Sequence, residues 1–110
     1  METRRDVFHA IADPSRRAIL ALIALQAMTP NTIAENFDIS RQAISRHIQV
    51  LTECDIVRQE NSGREIYYHL NINKMKEIAD WLAPFAKMWE ERHERLDEVL
   101  TKLKTKKYGK

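Results

Sequence analysis

The sequence is poor in glycine and cysteine, and both shortages limit what it can do. Two glycines in 110 residues leave no glycine-rich loop of the kind that cradles nucleotide phosphates. A single cysteine cannot form an internal disulfide. No motif supplies a nucleophile together with a base and an orienting acid. We therefore expect a protein that is not an enzyme and that needs no cofactor.

Long apolar runs are also missing. The longest, residues 18–25, is too short to span a bilayer, and the first ten residues lack the apolar segment of a signal peptide. We therefore expect a cytoplasmic protein with no membrane partner. A chain of this length allows one domain, residues 1–110, whose core would be modest.

Positive charge is scarce where binding to a polyanion would need it. Residues 1–73 contain eight arginines, no lysine and nine acidic residues, a net charge of −1, whereas residues 74–110 contain eight lysines, two arginines and seven acidic residues, a net charge of +3. A general polyanion binder is therefore disfavoured. Any nucleic-acid contact must depend on individually placed cations.

Residues 29–51 predict two short helices joined by a tight turn. Ser40 is a natural N-cap, and behind it Ile44, Ile48 and Leu51 recur at helical spacing and would bury one side. The opposite side carries cations for phosphates and amides or hydroxyls for base edges. This candidate DNA-binding set is Ser40, Arg41, Gln42, Ser45, Arg46 and Gln49.

Two β-prone runs follow this pair of helices. Residues 56–60 and 65–70 are separated by Asn61-Ser62-Gly63-Arg64, a pattern that predicts a hairpin. A hairpin directly after a helix-turn-helix is a wing. Its tip would hold Arg64 beside the DNA backbone or in the minor groove, so Arg64 joins the candidate set.

Three ordered motifs resemble the ArsR/SmtB (arsenic-repressor) family of bacterial regulators. They are FHAIADPSRRAIL at residues 8–20, ISRQAISRHIQVL at 39–51 and GREIYYHL at 63–70. The resemblance implies a mainly α fold with a small β-hairpin, a winged helix-turn-helix with N- and C-terminal dimerisation helices. Where the family usually has Ala-Gly after the recognition helix, this chain has Cys54-Asp55. Aspartate tolerates the left-handed conformation, so we expect the turn to be kept.

The resemblance also implies which segments of the chain bind DNA and which form the dimer. The DNA-binding core would occupy about residues 13–70, with recognition helix 40–53 and wing 56–70. Dimerisation would use about residues 5–12 and 74–104. Arg41, Gln42 and Ser45 would read bases, and Arg46 and Arg64 would hold phosphates, as expected of a transcriptional repressor bound to double-stranded DNA.

The C-terminal third carries an apolar stripe that alternates spacings of four and three, as in a coiled coil. Its positions are Ile78, Leu82, Phe85, Trp89, Arg92, Leu96, Val99 and Leu103, and Arg92 is its one interruption. Pro84 predicts a break or kink, with a short helix over about 74–82 and a long helix to about residue 104. The aromatic part of the stripe could be ordinary core. Its far end has little left to contact except a second copy.

A homodimer is therefore the predicted assembly, and the resemblance implies that its first and last helices form the interface. The predicted interface residues are Val7, Phe8, Ile11, Phe85, Trp89, Arg92, Leu96, Val99 and Leu103. Two recognition helices related by a two-fold axis would enter successive major grooves roughly 34 Å apart, on an inverted-repeat operator.

Several alternatives remain open at this stage. The aromatic C-terminal helix could make the protein a protein-protein interaction module. His93, near Asp97, could contribute to a metal site, although one imidazole per chain is a poor zinc ligand set, and no metal is predicted. Cys54 could act as a redox switch. The residues identify no small-molecule effector.

The remaining helix signals are local. Asp13-Pro14 and Thr29-Pro30 each combine an N-cap with a first-turn proline. The helix that follows Asp13 is apolar on all sides over residues 18–25, and we expect it to be buried all round.

Overall fold

The computed structural model describes residues 6–108, with side chains through residue 104. The first residue of the predicted dimerisation segment 5–12 lies outside this range. The elements are α1 (Val7–Ala10), α2 (Pro14–Leu25), α3 (Pro30–Glu35), α4 (Arg41–Glu53), β1 (Val57–Ser62), β2 (Glu65–Leu70) and α5 (Ile72–Tyr108). The chain divides into two compact units after Ile78. In the described range, no helix is long and apolar enough to cross a membrane.

Three predicted N-caps fix where the helices of the first unit begin. The side chain of Asp13 accepts a hydrogen bond from the backbone N–H of Arg16 at 3.0 Å. Thr29 and Ser40 do the same for the N–H groups three residues later, at 3.2 Å and 3.0 Å. Each cap satisfies an N–H that has no partner within its helix. The predicted starts of α2, α3 and α4 are confirmed.

The core of the first unit lies beneath α4. Ile44 and Leu51 are completely buried and Ile48 is nearly so, as the helical spacing predicts. Ile19 of α2 and Ile33 of α3 are also completely buried and belong to the same cluster. The apolar side of the recognition helix is therefore held from two neighbouring helices, which leaves its polar side free to face outward.

The turn after α4 forms despite the missing glycine. Asp55 adopts φ +60°, and its N–H donates to the carbonyl of Thr52 at 2.9 Å, while the N–H of Ile56 donates to Leu51 at 3.1 Å. These two bonds define a Schellman motif. Asn71 supports it from the start of α5, donating its side-chain amide to the carbonyl of Asp55 at 2.7 Å. The predicted left-handed aspartate is confirmed.

The hairpin is tighter than its sequence suggests. β1 and β2 pair antiparallel from Val57 opposite Leu70 to Ser62 opposite Glu65, so the connection is only Gly63-Arg64 rather than four residues. Gly63 has φ +64°, the conformation that favoured two-residue hairpin loops require at their first position. Met28 adds an antiparallel bridge to Tyr68. This bridge ties the segment before α3 to the wing.

The prediction that residues 18–25 are buried on all sides is wrong. Ile19, Leu20 and Ile23 are buried, but Ala18, Ala21 and Ala24 are exposed and Leu25 is 80% exposed. Alanine favours a helix without needing burial, so this helix can be apolar all round and still expose one face.

The predicted break at Pro84 is also wrong. Helix α5 runs from Ile72 to Tyr108 with Pro84 inside it. A proline within a helix costs about 3 kcal/mol, because the carbonyl four residues earlier loses its donor. That carbonyl belongs to Asp80, and the described side chains from Ala79 to Lys104 are all exposed, so water can satisfy it. Strong helix formers on both sides of Pro84 favour continuity.

Replacing Asp13 by asparagine should remove a pH-dependent contribution to the free energy of unfolding. The hydrogen bond from the Arg16 N–H lowers the pKa of Asp13 below its ordinary 3.8, and the charges of His47 and Arg16 act in the same direction, partly opposed by burial. A carboxyl group whose pKa is lower in the folded protein stabilises the fold at pH values above its unfolded pKa. This stabilisation is lost as the pH falls through the pKa of the folded state. Asparagine keeps the cap.

Urea denaturation of both proteins between about pH 6 and pH 3 tests this expectation. The stability advantage of wild type over Asp13→Asn should shrink as the solution becomes more acidic. An advantage that stays constant over this range would show that the carboxylate charge does not stabilise the fold.

Candidate nucleic-acid interface

The outward side of α4 presents the predicted DNA-binding residues together. Arg41, Gln42, Ser45, Arg46 and Gln49 are all exposed and lie opposite the buried isoleucines of the same helix. Gln42 and Arg46 form no hydrogen bond or ion pair with any other residue in the described range. Their side chains are therefore available to a ligand. Ser40 is exposed as well, but its hydroxyl oxygen already caps the helix.

Arg41 is held in place by two neighbours. Its Nε donates to the Oδ1 of Asn31 at 3.0 Å, and its Nη1 donates to the hydroxyl of Ser45. A guanidinium has five N–H donors in a fixed plane, so these two bonds leave three. The two bonds thus orient Arg41 and leave N–H donors available to a ligand. The Asn31 contact was not predictable from the sequence, because ten positions and a helix boundary separate the two residues.

The wing brings a second arginine to the same side. Arg41 and Arg64 line one cleft of about 240 Å³, between the start of α3 and the tip of the hairpin. Asn31 also lines this cleft. Arg64 is exposed and makes no hydrogen bond or ion pair within the described part of the chain. Two cations from separate elements therefore converge on one opening.

A larger cleft, of about 430 Å³, lies between α4 and the hairpin. Ser45 and Gln49 line it from the helix, and Gln59 and Tyr68 line it from the strands. Apolar side chains, Ile66 among them, also line it. The surface between the helix and the wing therefore combines apolar side chains with side chains that donate and accept hydrogen bonds.

The acidic residues near this surface are engaged with neighbours. Glu60 lies 2.7 Å from the Nε2 of His69, and Glu65 accepts a hydrogen bond from the Tyr67 hydroxyl at 2.9 Å. That bond and the Glu65 charge raise the pKa of Tyr67, so the phenol stays a donor. Glu65 nevertheless lines the cleft with the two arginines. Glu53 accepts from Gln49 at 3.2 Å, which directs the amide of Gln49 along the helix.

Two arginines of the opening motif make contacts that the sequence did not predict, because their partners lie in another helix. Arg16 donates from Nε to the carbonyl of Ala10 at 2.8 Å and from Nη2 to His9 at 3.0 Å. Arg17 donates to Ile11 at 2.6 Å. These arginines satisfy carbonyls at the end of α1, so they hold the first two helices together rather than contact a ligand.

The residues predicted for dimerisation differ in accessibility. In the first unit, Val7 is 2% exposed and belongs to the core, so its side chain is not available to a partner. Phe8 is 38% exposed, and Ile11 is half-buried.

In the second unit, the predicted interface residues are all exposed. Phe85, Trp89, Leu96, Val99 and Leu103 each have at least half of their surface accessible, and Arg92 is exposed too. The interpretation of the aromatic residues as ordinary core is not what the structure shows, since Trp81 and Met88 are also exposed.

The two candidate sensor residues lie in contrasting surroundings. His93 is exposed, and its Nδ1 lies 3.2 Å from the carbonyl of Trp89. Within the described range, no group of three or more histidine, cysteine, aspartate or glutamate side chains is arranged to hold a metal ion. Cys54 is 3% exposed, and buried thiols are typically inert.

Comparison with known proteins agrees with this geometry. Residues 11–60 match a family model described as a helix-turn-helix domain. The transcriptional repressor SdpR of Bacillus subtilis (strain 168) is 39% identical over 80 residues, which cover 73% of this chain and 89% of SdpR. A transcriptional repressor SmtB homolog of Synechocystis sp. (strain ATCC 27184 / PCC 6803 / Kazusa) is 31% identical over 81 residues, which cover 70% of this chain and 61% of that protein. The chain belongs to the ArsR/SmtB family. It is therefore a DNA-binding transcriptional regulator, and its relatives are regulators rather than enzymes.

Solved structures of family members share the fold. A possible transcriptional regulator for arsenical resistance has a TM-score of 0.65 and 33% identity, covering 86% of this chain and 95% of its own. An ArsR-like regulator from Rhodococcus sp. RHA1 has a TM-score of 0.66 and 28% identity, covering 84% and 88%. The predicted winged helix-turn-helix is confirmed for this ArsR/SmtB protein.

Proposed function

We propose that this ArsR/SmtB regulator is a homodimeric repressor that binds an inverted-repeat operator through α4 and the wing. The observation that carries the proposal is the two-sided character of α4. Ile44, Ile48 and Leu51 anchor one side in the core, while the other side exposes arginines and amides. An α-helix with an exposed polar side fits the major groove, where all four base pairs can be distinguished.

The residues on this surface divide by chemistry. Arg41, Gln42 and Ser45 would read base edges, because a guanidinium pairs with guanine and an amide with adenine in the major groove. Arg46 and Arg64 would hold phosphates, which fix the position of the protein on the duplex without specifying sequence. Ser40 would serve mainly as the cap of α4, and Gln49 would contribute where Glu53 leaves its amide available.

Dimerisation would come from the terminal segments, with the DNA-binding core at about residues 13–70. The exposed stripe of α5 repeats at heptad-like spacing, which suits pairing with the same helix of a second copy. Phe8 and Ile11 would add to the interface. The two-fold axis would then place the two α4 helices roughly 34 Å apart, one turn of B-DNA.

Repression would follow from occupying promoter DNA. SdpR is named a transcriptional repressor. Because SdpR belongs to a bacterium, whose chromosome lies in the cytoplasm, we place this regulator there as well.

Selection of bound duplexes from a random DNA pool, at a stated near-physiological salt concentration, tests the proposal. We expect an inverted repeat whose half-sites lie one helical turn apart. Recovery of a single half-site would contradict the dimeric arrangement. Recovery of no motif, with weak binding that salt abolishes, would contradict specific operator recognition by α4.

Replacing Arg64 by alanine should weaken binding to all sequences alike. Each phosphate contact that a cation makes releases counterions, so losing one should reduce the slope of log affinity against log salt by about 1. Fluorescence anisotropy over a series of salt concentrations measures this slope. Gln42→Ala is the matched control, because it should relax preference at one base pair and keep the slope. An unchanged slope for Arg64→Ala would remove the wing tip from the phosphate contacts.

A further inference from the structure

We propose that Asn31 is a positioning residue for operator recognition, which sets the orientation of the Arg41 guanidinium. This inference rests on the proposed role of α4 in reading bases. Asn31 lies in the first turn of α3, a different helix from the one that would enter the groove. Its side chain accepts a hydrogen bond from the Nε of Arg41 at 3.0 Å.

Two of the three guanidinium nitrogens of Arg41 have a partner within the protein. Nε is fixed by Asn31, and Nη1 is bonded to Ser45 on the same helix as Arg41. An arginine can approach guanine through its Nε edge or through its two terminal nitrogens. With Nε occupied by Asn31, the terminal nitrogens are the ones left to form the bidentate pair that specifies guanine.

Fixing the side chain before binding matters because arginine is flexible. An arginine side chain that is free to rotate loses rotamer entropy when it is immobilised. Contacts made in advance to Asn31 and Ser45 reduce the part of that loss that falls on DNA binding. Asn31 therefore contributes both to affinity and to the choice of base.

Asn31 is suited to this role and has no competing one. Thr29 caps α3, so the helix start does not depend on Asn31, and the residue is exposed. It is uncharged, so it orients the arginine without cancelling the positive charge that the cleft presents. It also lines the cleft shared by Arg41 and Arg64, next to the path proposed for the DNA backbone.

Base preference of four variants, measured on the operator and on its single-base-pair variants, tests this assignment. Asn31→Ala should lose most of the preference at the one base pair that Arg41→Ala also relaxes, and keep the thermal stability of wild type. Asn31→Asp keeps the acceptor, so it should retain the preference pattern while its added negative charge lowers affinity for every duplex. Asn36→Ala, an exposed asparagine at the other end of α3, should change no preference.

The double variant Asn31→Ala/Arg41→Ala separates positioning from direct contact. If Asn31 acts through Arg41, the double variant should discriminate between bases no worse than Arg41→Ala alone. A further loss of preference would mean that Asn31 contacts DNA itself and would overturn the inference. So would wild-type preference in Asn31→Ala. Failure of wild type to select any motif would instead refute the proposed operator recognition.

Discussion

Replacing Leu51 by alanine should destabilise the first unit by about 2 to 5 kcal/mol, the usual cost of removing a buried leucine side chain. Leu51 is completely buried, and it lies in the last turn of α4 next to the equally buried Ile56. Its backbone carbonyl also accepts the bond from Ile56 that closes the Schellman motif. The cavity would therefore open at the joint between the recognition helix and the wing.

This loss would be a large share of the stability of a small protein, which is typically about 5 to 15 kcal/mol. Operator binding should fall with the folded fraction, because α4 and the hairpin both depend on that joint. Urea denaturation followed by circular dichroism, at equal protein concentrations, measures the effect.

Leu25→Ala is the matched control, because it deletes the same atoms at the end of α2 where the side chain is 80% exposed. It should change stability by no more than about 0.5 kcal/mol. If the two variants lose equal stability, burial at Leu51 is not what holds the end of α4 in place.

The features that were predictable from the sequence are those encoded within a few residues. Asp13, Thr29 and Ser40 bond N–H groups three positions later, so one short window contains both partners. The same holds for the left-handed Asp55 and for the buried side of α4. Local rules suffice because helices and tight turns satisfy their own backbone groups.

The features that were missed depend on residues distant in sequence or on competition between effects. Asn31 meets Arg41 only because two helices pack in a particular way, and no spacing rule connects them. Arg16 and Arg17 look like surface cations in the sequence but bond the carbonyls of α1. At Pro84, the strong helix formers on either side and the access of water to the helix outweigh the local effect of proline.

The exposed stripe of α5 is the surface that we propose pairs with a second copy. A contiguous row of exposed apolar residues is uncommon on a monomer and marks an interaction surface. Replacing Leu96, 56% exposed, by aspartate would place a charge in the middle of this stripe. If the stripe pairs with its counterpart, the two-fold axis brings two such charges into one interface, where burial without a partner is costly.

Leu96→Asp should therefore be monomeric by analytical ultracentrifugation and should bind the full operator between about 100-fold and 10,000-fold more weakly than wild type, because the second half-site is no longer engaged within one assembly. Thr101→Asp is the control. It adds the same charge to the same helix, about 140° around the axis from Leu96, and should remain dimeric with wild-type affinity. A Leu96→Asp protein that stays dimeric, or that keeps its operator affinity as a monomer, would show that α5 does not hold the two DNA-binding units of the dimer together.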